Sequence, residues 1–205
     1  MSKFDTYSKH FLIDEIISMQ HNILYINPLW ENIIFLSKIN NIFESQNLTI
    51  PFLKFAENFP NILSKFVDEK NIREIWVING PGTFTKMRVI ILTINTIKIS
   101  FPEIIVKSVH FFDFFKDLPE KPLIEINAKE FLTNNDQNGE IFYDKNSLPD
   151  SDYIGYSTTE LRQTSTFKNF VDQWNEIEKI FKSKKSENFL TPIYIKPPHI
   201  THAKK

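Results

Sequence analysis

The sequence predicts an α/β fold in which helices cover a mixed sheet. Three observations support this: three short β-like segments follow one another, two long helical segments come after them, and single strand-like segments alternate with the helices. With 205 residues, 41% of them hydrophobic, the chain can bury a core in one large domain or two small ones.

Only turn-sized gaps separate the three β-like segments, so we expect an antiparallel meander. They are ILYIN (Ile23–Asn27), NIIFLS (residues 32–37) and INNIFES (residues 39–45). Residues 1–21, ahead of them, are interpreted as an N-terminal extension. Its apolar residues at helical spacing are Phe11, Leu12, Ile16 and Ile17.

The first long helix is expected within residues 51–70. Its apolar side chains recur at steps of three and four: Phe52, Phe55, Phe59, Ile62 and Phe66. Pro60 lies inside this pattern, where it removes one backbone hydrogen bond or kinks the helix.

The second long segment, from Thr83 to Ser100, is rich in β-branched residues, which favour a strand. Its length favours a helix instead, because strands are rarely so long. One broad apolar arc then holds Phe84, Met87, Ile90, Ile91, Ile94 and Ile97. A second, narrower stripe holds Arg88, Leu92, Asn95 and Ile99. A helix with two apolar faces needs a second surface to cover it.

The remaining segments complete the order strand, strand, strand, helix, strand, helix, strand, helix. They are strands at residues 74–79 and 104–109, a short helix at 110–117 and a strand pair within 122–132. This is the order of a ribonuclease-H-like half-domain, assigned to residues 22–118. Residues 119–205 are predicted to be a reduced second half. The two halves together give the actin-like and sugar-kinase-like (ASKHA) fold. Its elements are strands at residues 140–144, 152–157 and 191–196 and a helix at 167–182.

Composition limits the function. Lys plus Arg (24) balance Asp plus Glu (25), so any contact with RNA is expected to be local or made through a partner. No apolar run is long enough for a membrane span and no secretory pattern begins the chain, so a cytoplasmic location is expected. The five histidines form no metal-binding pair and no serine lies in a nucleophile-elbow pattern, so no metal and no catalytic residue is predicted.

Two of the chain's four glycines lie in one corner, Gly80-Pro81-Gly82, between a predicted strand and a predicted helix. Such a corner resembles phosphate-binding loops, in which glycine lets the backbone approach an anion at a helix N-terminus. It is also what a tight turn requires, with glycines supplying positive φ and Thr83 or Thr85 capping the helix. Spacing alone leaves both interpretations open.

The wider motif INGPGTFTKMRVIILTINTIK resembles the GPGSFTGLRVGL signature of the TsaB (YeaZ) family. The residues that match this signature directly are Gly80, Pro81, Gly82, Phe84, Thr85 and Arg88. Thr83 is a conservative match to its serine. Before this motif, ILYIN is similar to the family's ILAIDTS, and ENFPNILSKF is similar to its ENLLPLIDEL, with Pro60 on the proline. After the motif, EINAKEF is similar to DARRGEVY, with Ala128 matching, and PIYIK (residues 192–196) is similar to PVYLR. The resemblance covers about residues 22–130 and that short tail.

The resemblance implies a non-catalytic subunit that pairs with a TsaD-like enzyme in tRNA threonylcarbamoyladenosine synthesis. Pairing is expected through the first two helices, with an interface made of Phe55, Phe59, Leu63, Arg88, Leu92, Asn95 and Ile99. No cofactor is expected, and any ATP site would lie between partner proteins. Further partners that the resemblance allows are a TsaE-like ATPase, tRNA through the complex, and a second copy of the chain.

The chain departs from its relatives at the first hairpin. Asn27 replaces the carboxylate that holds metal and phosphate in actin-like ATPases, Pro28 and Leu29 replace two hydroxyl residues, Phe55 replaces a histidine, and Lys86 replaces a glycine. Phosphoryl transfer at that hairpin is therefore disfavoured. The alternative remains a small nucleotide-binding phosphotransferase or ATPase that uses the Gly80-Pro81-Gly82 loop.

Overall fold

The computed structural model describes residues 22–28, 33–126, 129–135, 139–144, 146–156, 166–169 and 174–195. The helices are α1 (Phe55–Glu69), α2 (Phe84–Ser100), α3 (Trp174–Ser183) and two short 3-10 helices, Phe52–Lys54 and Phe111–Phe115. The strands are β1 (Ile23–Asn27), β2 (Ile33–Ile39), β3 (Ile42–Leu48), β4 (Glu74–Ile78), β5 (Ile105–Val109), β6 (Lys121–Glu125), β7 (Glu130–Asn135), β8 (Gly139–Asp144), β9 (Asp152–Tyr156) and β10 (Thr166–Asn169).

The first sheet has the strand order β3-β2-β1-β4-β5. Strands β1, β2 and β3 form the predicted antiparallel meander, while β4 and β5 run parallel to β1 and are reached through α1 and α2. This is a ribonuclease-H-like sheet, as predicted. β3 begins later than predicted because Asn40 and Asn41, with φ of 49° and 64°, form the hairpin turn.

Helices α1 and α2 cover one face of this sheet. The long segment after Gly82 is indeed helical, because its apolar arc buries against strand residues such as Leu24 and Val77. The buried helix residues are Phe55, Phe59, Leu63 and Val67 of α1 and Met87, Ile90, Ile91, Ile94 and Ile97 of α2. The expectation that Phe52 belongs to the buried face was wrong: it lies in the preceding 3-10 turn and is 71% exposed. The helix runs through Pro60 without interruption.

The opposite face of the first sheet packs against α3 and the 3-10 helix Phe111–Phe115. Trp76 of β4 stacks on Phe181 of α3, with ring centroids 5.1 Å apart and an interplanar angle of 4°. The same cluster takes in Ile124, Leu132 and Ile154 from the second sheet. The side chains of Phe111, Phe112, Phe114 and Phe115 are buried, as expected of core residues. One shared apolar core therefore joins the two sheets.

The second sheet has the order β10-β9-β6-β7-β8, which repeats the pattern of the first sheet. Strands β6, β7 and β8 are antiparallel neighbours, and β9 and β10 run parallel to β6. Where α1 joins β3 to β4 in the first half, residues 146–151 form only a turn and bend between β8 and β9. The second half is thus a reduced version of the first. The helix predicted at 167–182 begins later, at Trp174, because β10 occupies Thr166–Asn169.

The chain returns to the first sheet after α3. The backbone N–H of Glu187 donates to Val106 O at 2.8 Å, and the Glu187 carboxylate accepts from the N–H and hydroxyl of Ser108 at 2.9 and 2.7 Å. Leu190 is buried in the core beneath α1 and α2. In the described part of the strand predicted at residues 191–196, which ends at residue 195, a single parallel bridge joins Tyr194 to Gly82. The boundary predicted at residue 118 remains a prediction, but this C-terminal stretch packs with the first half.

Several sequence predictions fall outside the described residues. They are the helical N-terminal extension (1–21), the match at Ala128, and the histidines His10, His21, His199 and His202. Within the described ranges, no helix combines the length and apolarity needed to cross a bilayer.

Candidate functional site

The corner Gly80-Pro81-Gly82 follows β4 and is buried. Gly80 has the predicted positive φ, 138°, and a Cβ there would collide with the backbone carbonyl of Ile193. Its own carbonyl accepts from the N–H of Phe111 at 2.8 Å. Gly82 does not have positive φ; a Cβ there would lie 2.5 Å from the Met87 side chain. Only Gly80 therefore needs glycine for its backbone conformation, while Gly82 makes room for α2.

The C-terminal segment is hydrogen-bonded to this corner along its backbone. Ile193 N–H donates to Asn79 O at 2.8 Å, Gly82 N–H donates to Ile193 O at 3.1 Å, and Ile195 N–H donates to Gly82 O at 2.9 Å. The side-chain amide of Asn79 donates to Thr191 O at 3.3 Å. The corner is thus held as a tight turn by residues more than a hundred positions away.

These bonds bear on the two interpretations of the glycines. Pro81 has no N–H, and the Gly82 N–H is already donated to Ile193 O, so these groups are not available to a phosphate in this arrangement. The geometry favours the turn over the anion cradle. Lys86, on the first turn of α2, is half-buried.

The start of α2 carries the rest of the signature. Thr83 occupies the N-cap position but its side chain makes no capping hydrogen bond, and Thr85 is exposed. Phe84 packs on Tyr194 of the C-terminal segment, with ring centroids 4.7 Å apart. The guanidinium of Arg88 lies over the Phe84 ring at 5.8 Å. The signature residues therefore fix how α2 enters the fold and place Arg88 at the surface.

The second stripe of α2 is exposed, as the two-faced pattern predicted. Leu92 is 54% exposed and Ile99 is 64% exposed. Asn95 lies between them and is half-buried, because its side-chain amide donates to Leu190 O at 3.0 Å and accepts from Leu190 N–H at 2.8 Å. Arg88, one turn before Leu92, is also exposed. A continuous face of α2 is thus open to solvent.

Three residues predicted for a partner interface lie elsewhere. Phe55, Phe59 and Leu63 are 5%, 0% and 0% exposed, so the prediction that they form a surface was wrong. The repeat of three and four marked the face that α1 turns toward its own sheet. The exposed apolar residues at the head of α1 are Phe52 and Leu53, at 71% and 95%.

The position at the first hairpin where actin-like ATPases carry a carboxylate is occupied by a buried asparagine. Asn27 is 1% exposed at the end of β1. Among the described residues, no group of three or more His, Cys, Asp or Glu could hold a metal ion. In the described part of the chain, a cavity of about 390 Å³ lies beside Phe35 and Phe66 and another of about 310 Å³ lies beside Phe112 and Tyr153, both away from the corner.

Ion pairs hold two carboxylates in their charged form. Burial alone would raise the pKa of Asp113, but the hydrogen bond and charge of Lys116, at 2.7 Å, and the charge of Lys184 lower it overall. This is the opposite of what a general acid requires, so Asp113 is not suited to that role. Burial is also the largest influence on Glu178, yet hydrogen bonds from Lys182 and Lys38 lower its pKa overall.

Burial dominates at one tyrosine in the second half. It raises the pKa of Tyr153, with smaller contributions from Tyr143 and Asp150. The hydroxyl of Tyr153 donates to Pro149 O at 2.8 Å, which ties the loop before β9 to its strand. This tyrosine is a structural group.

The role of the C-terminal segment was not anticipated from sequence. Its resemblance at residues 192–196 placed it in the fold but did not indicate that it binds the corner and α2. The available signals were Asn79 and Asn95, two amides within otherwise apolar stretches, because a half-buried amide requires partners.

Comparison with solved structures identifies similar folds. One is the crystal structure of an uncharacterized protein with similarity to peptidase YeaZ from Pseudomonas aeruginosa (TM-score 0.59, 13% identity); the other is YeaZ from Pseudomonas aeruginosa (TM-score 0.56, 13% identity). Each of the two matches covers 86% of this chain and 100% of the chain in the solved structure. No protein-family model matches the sequence, and no curated protein matches it. The likeness establishes a YeaZ-like, actin-like α/β fold.

Proposed function

We propose that this protein is a non-catalytic partner and activator of a TsaD-like enzyme in the synthesis of threonylcarbamoyladenosine in tRNA. The observation that carries the proposal is the exposed stripe of α2, with Leu92 and Ile99 at 54% and 64% exposure, directly after a GPGTFT corner that resembles the TsaB signature. Exposed apolar side chains on one helix face are typical of a surface that another protein covers.

The proposed interface differs from the one expected from sequence alone. It keeps Arg88, Leu92, Asn95 and Ile99 of α2 and omits the buried Phe55, Phe59 and Leu63. In their place it takes the exposed residues Phe52 and Leu53 of the 3-10 helix that precedes α1. The complex would act in the cytoplasm, reach tRNA through the enzyme and, with a TsaE-like ATPase, hold any ATP between subunits.

Co-expression with the TsaD protein of the same genome, followed by size-exclusion chromatography with light scattering, tests the proposal. We expect a one-to-one complex that Leu92→Asp and Ile99→Asp each abolish. Leu118→Asp, at an exposed leucine between the 3-10 helix Phe111–Phe115 and β6, is the matched control and should leave the complex intact. The absence of a complex with the unmodified chain would contradict the proposal, as would a complex that tolerates both aspartates.

The alternative, a nucleotide-binding phosphotransferase or ATPase, is less well supported. Pro81 has no N–H and Gly82 N–H is donated to Ile193, so neither is available to a phosphate. Asn27 is buried at the position where relatives of this fold carry a carboxylate. Calorimetry of the isolated chain with ATP and magnesium distinguishes the two functions, because tight binding with turnover would favour the enzyme.

A further inference from the structure

We infer that the partner-binding surface continues from α2 onto the C-terminal segment, and that its occupant is the helical face of the TsaD-like partner, apolar at its centre and with a carboxylate opposite Arg88. This composite face consists of Arg88, Leu92, Asn95 and Ile99 of α2 and Phe189. The inference rests on the proposed function and adds a residue outside the two helices.

The position of Phe189 is set by its neighbour. Leu190 is hydrogen-bonded to Asn95 in both directions, at 3.0 and 2.8 Å, and its side chain is buried in the core. Phe189, the residue immediately before Leu190, is 65% exposed. Asn95 lies three residues after Leu92 and four before Ile99, so all lie on one side of α2. The backbone at Phe189 is thus held next to Asn95, and we place its exposed side chain on the side of α2 that carries Leu92 and Ile99.

A partner can cover this face at little polar cost. Asn95 is the polar residue at its centre, and its amide already donates to and accepts from Leu190. Burying a satisfied amide avoids the penalty of an unpaired polar group. Phe189 adds an aromatic side chain, the type of residue that is enriched at the centre of interfaces.

The charge of α2 indicates what the occupant carries at its rim. The helix contains Lys86, Arg88 and Lys98 and no acidic residue. Lys98 is used inside the chain, since its ammonium donates to the carbonyl oxygens of Pro102 and Ile104 at 2.6 and 2.8 Å. Arg88 is exposed and, among the described residues, has no ion pair. A carboxylate on the partner would complement it.

The test measures the affinity of the full chain for the TsaD protein of the same genome by calorimetry. Phe189→Ala should weaken binding about tenfold and Arg88→Glu by at least about tenfold. Phe43→Ala, at another exposed phenylalanine on the edge strand β3, is the matched control and should leave the affinity unchanged. Added salt should weaken the binding of the unmodified chain more than that of Arg88→Gln.

A double-mutant cycle isolates the role of Asn95. Because Asn95 acts by holding the segment that bears Phe189, the effect of Asn95→Ala on affinity should largely disappear in the Phe189→Ala background. Circular dichroism and thermal unfolding identify any variant that fails to fold. If the unmodified chain binds and Leu92→Asp abolishes the complex while Phe189→Ala has no effect, the composite face is wrong and the proposed function stands. If the unmodified chain does not bind, both are overturned.

Discussion

The ammonium of Lys107 on β5 lies 2.7 Å from the carboxylate of Glu74 on the neighbouring parallel strand β4, where Lys107 is paired with Trp76. The same carboxylate oxygen accepts from the indole N–H of Trp76 at 2.7 Å, and Lys107 lies over the Trp76 ring at 5.9 Å. Only 9% of the Glu74 side chain and 14% of the Lys107 side chain are exposed. The pair orients the tryptophan that stacks against α3, at the junction of the two sheets.

Removing this carboxylate should destabilise the protein. Glu74→Ala leaves the Lys107 ammonium without its counter-charge in a nearly buried site, so we expect the free energy of unfolding to fall by about 3 kcal/mol. Glu69→Ala, which breaks the exposed pair with Lys65, should cost less than about 0.5 kcal/mol. Urea unfolding followed by tryptophan fluorescence measures both, and equal effects would contradict the assigned burial.

The two corner glycines should respond differently to alanine. At Gly80 an alanine meets the Ile193 backbone and adopts an unfavourable positive φ, so Gly80→Ala should destabilise by about 2 kcal/mol or more. At Gly82 the obstacle is the flexible side chain of Met87, so the loss should be smaller. Chemical unfolding of the two variants gives the order, and a larger loss at Gly82 would contradict the described turn.

The cap of α2 makes a separate prediction. Thr→Ala at a helix N-cap typically costs about 1 kcal/mol, but the Thr83 side chain makes no capping bond. Thr83→Ala should therefore change the free energy of unfolding by less than about 0.5 kcal/mol. A loss near the typical value, measured by thermal unfolding, would indicate that the hydroxyl does cap the helix.

Leu63 is buried and Leu92 is exposed, so the same substitution to alanine should reduce the stability of the chain far more at Leu63 than at Leu92. Leu63→Ala creates a cavity at a fully buried position and should cost about 2 to 5 kcal/mol. Leu92→Ala, at 54% exposure, should leave the free energy of unfolding of the isolated chain within about 0.5 kcal/mol. The comparison uses the same substitution in adjacent helices, and a large loss at Leu92 would mean that the isolated chain already covers its exposed face.

Acid should weaken the attachment of α3 through Glu178. Its carboxylate pairs with Lys38 at 3.1 Å and Lys182 at 3.0 Å and has a lowered pKa. Since the folded pKa lies below the unfolded value, the stabilisation is fully present above the unfolded pKa and is lost as the pH falls through the folded one. The difference in free energy of unfolding between the natural chain and Glu178→Gln should therefore stay constant above about pH 5 and shrink as the pH falls from there to about pH 2.

The exposed Glu176, on the same helix, provides the control for that measurement. Glu176→Gln should give a difference from the natural chain that varies little over the same range of pH. A Glu178→Gln difference that is constant with pH would mean that the ion pairs with Lys38 and Lys182 do not stabilise the folded chain.

Much of the first half follows from local pattern. The spacing of Met87, Ile90, Ile94 and Ile97 outweighs the strand propensity of their β-branched side chains, because only a helix places them on one face. Boundaries were less predictable: Asn40 and Asn41 read as part of a strand until their left-handed conformation makes them a turn. The start of α3 was missed because Thr166–Asn169 pairs with β9, a non-local contact that local periodicity does not record.

The candidate surface, like the fold, was predicted only in part from local pattern. Periodicity identified both apolar stripes of α2, but the stripe of α1 was assigned to a partner although the sheet covers it. Periodicity reports which residues share a face; it does not report what that face meets.

Local sequence pattern was enough to predict the order of helices and strands in the first half, the two-faced character of α2 and the signature corner, since each depends on residues close together in the chain. Tertiary structure alone decided which apolar face stays exposed. It also decided that residues 190–195 hold the corner and α2, because those hydrogen bonds join positions about a hundred residues apart.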